Sequence, residues 1–121
     1  MRDKYTILQV SKDSKLPNWI DMDDSFVSII RTDDELSIVC KSSCVPNDNA
    51  LIQSKDWIII KIEEILDLSL VGILFSLLKV LKDNDISVYT ISTYNTDYVL
   101  IKEKDKNNAI NCLSKYYEVI I

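Results

Sequence analysis

The sequence predicts an α+β fold built on an antiparallel sheet, and three observations lead there. The second half of the chain alternates short β-branched runs with two amphipathic stretches, in the order β-α-β-β-α-β. The first half carries a strand and a hairpin in part of the same order, without a long helical stretch. The composition is that of a globular chain, with 121 residues of which 47% are hydrophobic and 27% charged. That length suits one compact unit or two very small ones.

Taken in order, Lys4 to Ser11 alternates as a first strand. Lys15-Leu16-Pro17-Asn18-Trp19 reads as a turn, since Pro17 can open a single helical turn. Phe26 to Thr32 and Glu35 to Lys41 are two strands joined at Asp33-Asp34, a hairpin pattern. Pro46-Asn47-Asp48-Asn49 is a polar break. The expected division is residues 1–54 and 55–121. In the second part, Trp57 to Glu63 is a strand, and Asp67 or Ser69 caps a helix running to about Lys82. Ile86 to Thr93 and Asp97 to Lys102 are strands about a turn at Tyr94-Asn95-Thr96. A second helix spans Asp105 to Tyr116, and Glu118 to Ile121 is a closing strand. This order is ferredoxin-like, with both helices on one face of the sheet. The first part reads as a degenerate copy of it, tandem or interlocked with the second.

Composition excludes several functions. The net charge of −5 and the absence of a Lys/Arg cluster argue against nucleic acid, which needs a basic face. With no histidine, Ser–His and Cys–His nucleophile systems and most zinc sites fall away. Three cysteines without a secretory leader pattern fit a reducing cytoplasm. The longest apolar run, Leu70 to Leu81, is broken by Ser76 and Lys79 and is too short for a membrane span.

Gly72 is the only glycine, where average usage is about 7%. It lies near the start of the most hydrophobic helix the sequence can form, where glycine costs roughly 0.5–1 kcal/mol relative to alanine. Gly72, Ser76, Lys79 and Asp83 follow helical spacing and form one polar stripe. Gly72 therefore faces away from the sheet. A helix start offers free N–H groups and the positive end of the dipole, so a carboxylate or phosphate docks there readily. Close packing against another segment or subunit is the other reading. Ser92, Thr93, Asn95, Thr96 and Asp97 form a second polar group, which on its own reads equally as an ordinary hairpin turn.

The runs Asp67-Leu68-Ser69-Leu70-Val71-Gly72-Ile73-Leu74 and Ile86 through Leu100 resemble the ACT domain superfamily. They are most similar to small bacterial proteins of two ACT units and to the ACT repeats of the animal cytosolic arginine sensor. Leu16-Pro17-Asn18-Trp19, Phe26 to Thr32 and Glu35 to Cys40 match the same group. The resemblance implies a non-catalytic regulatory module that binds an amino acid or similar metabolite between ACT units. It implies that Ser69, Leu70, Val71, Gly72 and Ile73 receive the ligand's carboxylate. Ile91, Ser92, Thr93 and Tyr94 would face its ammonium group, and Asp97 a cationic side chain. No cofactor or metal is implied. A homodimer or higher homo-oligomer is, together with a separate regulated protein. The chain departs from the family at Glu64-Ile65-Leu66-Asp67-Leu68, where relatives carry a Gly-Pro pair and an aromatic residue. The first part has no glycine, so one site per chain is expected. The alternative is an oligomerisation module that has kept no ligand.

Other candidates are weaker. Cys40 alternates in step with Leu36 and Ile38 and reads as a core thiol, as does Cys112 on its helix. The clusters Asp21, Asp23, Asp24 and Asp33, Asp34, Glu35 lack the glycine and spacing of a calcium loop. Arg2 and Arg31 follow no phosphate-cradling loop.

Overall fold

The computed structural model describes residues 3–63 and 70–120. It is α+β, with strands Tyr5–Val10 (β1), Ser28–Arg31 (β2), Leu36–Lys41 (β3), Ile52–Glu63 (β4), Val88–Ser92 (β5), Asp97–Lys102 (β6) and Glu118–Ile120 (β7). The helices are Leu70–Asp83 (α1) and Lys106–Leu113 (α2). Every register the structure defines is antiparallel. The chain divides into two compact units, Asp3–Trp57 and Ile58–Ile121.

In the first unit the strand order is β2-β3-β1-β4. The β2–β3 hairpin closes where Thr32 N–H donates to the Glu35 carbonyl, 2.8 Å away. The Thr32 hydroxyl also accepts from the Asp34 and Glu35 N–H groups. Side chains alternate across β1 and β3. Leu8, Leu36, Ile38 and Cys40 therefore share one buried face, with Trp19, Ile20, Val45 and Leu51 packed against it from the loops. The hydroxyl of buried Thr6 is satisfied by Ser42 Oγ at 2.7 Å.

β4 differs from the sequence expectation. It begins at Ile52, five residues before the expected start at Trp57. Ile52-Gln53-Ser54-Lys55-Asp56 does not look like a buried strand, but β1 supplies its hydrogen-bond partners. Three steps along β4 (Trp57 to Ser54) match two along β1 (Tyr5 to Ile7), which makes a bulge. Asp56 lies within it at φ 66°.

In the second unit β4 neighbours β6, β6 neighbours β5, and β7 pairs with β4. α1 and α2 cover this sheet through Leu77, Leu81, Ala109, Cys112 and Leu113, packed on Ile58, Ile60, Val99 and Ile101. α2 is shorter than the expected Asp105–Tyr116. A 3-10 turn occupies Glu103–Asp105, and beyond Leu113 the Tyr116 and Tyr117 N–H groups both donate to the Leu113 carbonyl. α1 ends in a Schellman motif, where Asp85 N–H donates to Lys82 O and Ile86 N–H to Leu81 O. Asp85 takes the left-handed position at φ 57°. Among the described residues, no helix is long and apolar enough to cross a membrane.

Candidate functional site

Leu70, Val71, Gly72 and Ile73 form the first turn of α1. Ser69 and the alternative cap Asp67 lie outside the described residues. Gly72 sits in helical backbone, and no glycine has positive φ. The left-handed positions of the described chain belong to two aspartates instead. Backbone freedom is thus not what requires glycine at 72; what distinguishes the position is the missing side chain. Downstream on the same stripe, Ser76, Lys79 and Asp83 are exposed, and the Lys79 ammonium holds the Asp83 carboxylate at 2.8 Å. Phe75, which helical projection assigns to the apolar face, stands 69% exposed.

The other residues singled out in the sequence are at the β5–β6 hairpin. Ile91 is buried, while Ser92, Thr93, Tyr94 and Asp97 are exposed. Ser92 and Asp97 are register partners, and the Ser92 hydroxyl donates to an Asp97 carboxylate oxygen. The turn is closed by Thr93 N–H to Thr96 O at 2.8 Å and by the Thr93 hydroxyl, which bonds both the carbonyl and the N–H of Thr96. The carboxylate of Asp97 is therefore held at the mouth of an ordered turn. The structure brings Ser92 and Asp97 into direct contact. Among the described residues it gives no hydrogen bond between the turn and α1.

The path β4-α1-β5 reverses twice. A helix linking two strands of one sheet returns the chain to the end from which it set out. The first turn of α1 and the far end of β5 accordingly lie toward the same end of the second unit. At the opposite end, an open groove of about 820 Å³ runs between the last turns of α1 and the start of β5. None of the predicted ligand-binding residues lines it, whereas Phe75, Lys79 and Asp83 of α1 do. The sequence reading missed this groove, because helical projection assigns Phe75 to the apolar face and only the structure shows it exposed.

Two of the three free cysteines, Cys40 and Cys112, are buried, and Cys44 is half-buried. Cys40 is buried in the first unit, and burial pushes its thiol up to about 11, so it stays protonated at neutral pH. Cys112 is buried in α2, and its Sγ donates to the Ala109 carbonyl at 3.3 Å. Among the described residues, no group of three or more His, Cys, Asp or Glu side chains could hold a metal ion.

Comparison with known proteins bears on family and fold. A family model described as ACT domain matches residues 53–115, and a separate model of an N-terminal domain matches residues 3–48. A crystal structure of an Agobacterium tumefaciens protein is 32% identical, with a TM-score of 0.82, over 93% of this chain and 82% of that one. A Vibrio cholerae protein of unknown function, described as a possible transport protein, is 18% identical with a TM-score of 0.70, over 95% and 84% of the two chains. Aspartate kinase of Clostridium acetobutylicum, an allosteric enzyme, is 12% identical with a TM-score of 0.69. That match covers 97% of this chain and 34% of the kinase. The latter two establish likeness of fold alone. A search of curated proteins finds no match.

Proposed function

This chain belongs to the ACT domain family, whose members are regulatory modules, and on that premise we propose that it binds an amino acid or similar small metabolite without catalysing a reaction. The carrying observation is Gly72, a helical glycine that the backbone does not require, in the first turn of α1. Free N–H groups and the positive end of the dipole gather at such a turn, and any side chain at 72 would obstruct an arriving carboxylate. In this reading Ser69, Leu70, Val71, Gly72 and Ile73 take the carboxylate. Ile91, Ser92, Thr93 and Tyr94 face the ammonium group, and Asp97, oriented by Ser92, takes a cationic side chain.

The reading extends to the whole chain. Residues 1–54 are taken as a degenerate ACT-like unit and 55–121 as the functional one. The strand orders support this. β2-β3-β1-β4 in the first unit and β5-β6-β4-β7 in the second follow the same scheme, counted within each unit. The first lacks α-helices among its described residues. The ligand then sits between ACT units, one site per chain, in a homodimer or higher homo-oligomer that signals to a separate protein in the cytoplasm.

A thermal-shift screen of the twenty amino acids and related metabolites tests the proposal. Ligand at 100 times its Kd stabilises by about 2.7 kcal/mol. Gly72→Leu abolishes that shift while leaving the fold intact. Absence of any shift at millimolar concentrations sinks the reading.

A second reading is an interaction module without ligand. It is favoured by β5, whose only pairing among the described strands is with β6, leaving a free edge. Sedimentation of Gly72→Leu separates the two. Loss of oligomer with no ligand response in the parent favours the second reading. A retained oligomer with a lost response favours the first.

A further inference from the structure

We propose that the groove at the C-terminal end of α1 is a second ligand site, for a small zwitterion with an apolar body. It is independent of the site at Gly72. Its volume of about 820 Å³ falls in the range of small-molecule sites. The floor is apolar. Phe75 is 69% exposed, and Leu78 and Val88 are half-buried against the core of the second unit.

The rim carries two charges of each sign. Lys79 and Asp83 neutralise each other at 2.8 Å. Lys82 and Asp85 have no ion-pair partner among the described residues and remain available to a ligand. A molecule that matches this rim bears an ammonium group toward Asp85 and a carboxylate toward Lys82, with its apolar body over Phe75 and Leu78.

Asp85 strengthens the assignment. Lys82, in the last turn of α1, is explained by the helix dipole. Asp85 is not. It occupies a left-handed position suited to glycine, and it sets a carboxylate at the negative end of the helix. Aspartate tolerates that backbone, so it is the placing of its carboxylate against the helix dipole, beside the groove, that points to a cationic group bound there.

The test is an amide NMR titration of the full chain with three probes sharing one apolar body: phenylalanine, phenethylamine and hydrocinnamate. Phenylalanine is expected to move the amides of residues 82–88 saturably. Removing either charge from the probe weakens binding about two- to fivefold, as loss of one exposed ionic contact does. Asp85→Asn weakens phenylalanine and phenethylamine to a similar extent and leaves hydrocinnamate unchanged. Asp85→Gly does the same in a chain that is no less stable, which separates lost binding from lost fold. Gly72→Leu has no effect on this site. The proposal is overturned by equal binding of all three probes, by indifference to Asp85→Asn, or by no saturable change at residues 82–88. It is also overturned by concentration-dependent shifts there without probe, which would mark self-association. Shifts confined to residues 70–73 and 91–97 sink the groove and leave the Gly72 site standing; shifts confined to 82–88 support the groove and leave the Gly72 site to the metabolite screen.

Discussion

Asp56 and Asp85 hold backbone positions with φ of 66° and 57°, where a Cβ is crowded and glycine is not. Replacing either with glycine is expected to stabilise the fold by about 0.5–1 kcal/mol, once the greater freedom of glycine in the unfolded chain is deducted. Asp85→Gly should gain more, because it also removes a carboxylate from a helix C-terminus. Urea unfolding of the two variants gives the ranking. A third aspartate behaves differently. Burial alone would raise the Asp24 carboxyl, but the Lys41 ammonium at 3.1 Å and the Ser25 N–H outweigh it and hold it below the usual range. The same bond raises Lys41. A lowered acid contributes stability that is lost as pH falls through its folded pKa, and a raised base contributes stability that is lost as pH rises through its own. The pair therefore stabilises across the middle of the pH range and fails at both extremes. Asp24→Asn should flatten the acid limb of a stability–pH curve, and an unchanged limb would refute the assignment. The roles of these three aspartates are not legible in the sequence, where Asp24 shows only as part of an acidic cluster, because they depend on φ and on a partner on another element.

At the level of elements, α1 was the most legible and β4 the least. The apolar spacing of α1 gives its extent to within a residue at the C-terminal end, where Leu81 and Ile86 meet across the Schellman turn. Leu81 is fully buried. Leu81→Ala should cost about 2–5 kcal/mol, measured by chemical denaturation, with the loss concentrated in the second unit by hydrogen exchange. Spacing misled at Phe75, since an apolar residue on the edge of a stripe reads as core whether or not anything covers it. In β4 the first five residues carry no strand pattern, and only pairing with β1 makes them a strand. α2 was overextended because Tyr116 and Tyr117 continue the apolar spacing past Leu113, where the chain has already turned.

Taken whole, the molecule was readable wherever its pattern repeats. The β-α-β-β-α-β order of the second unit and the strand and hairpin of the first were both visible as alternation and spacing. The candidate site was legible only in part. Gly72 stands out by composition and the β5–β6 turn by polarity, but Ser69 and the rest of 64–69 lie outside the described residues. The groove needed the structure, since it arises where the end of α1 and the start of β5 meet and no single run of residues spells it out.

β4 has a consequence for how such a protein can be altered. Its twelve residues from Ile52 to Glu63, bulged at Asp56, continue as one strand through the boundary at Trp57 and Ile58. Proteins of two units ordinarily accept a spacer at the junction, because the junction is an exposed loop. Here the junction is the inside of a ladder. A flexible insertion after Trp57 should abolish soluble expression, whereas the same insertion at the Pro46-Asn47 turn should be tolerated.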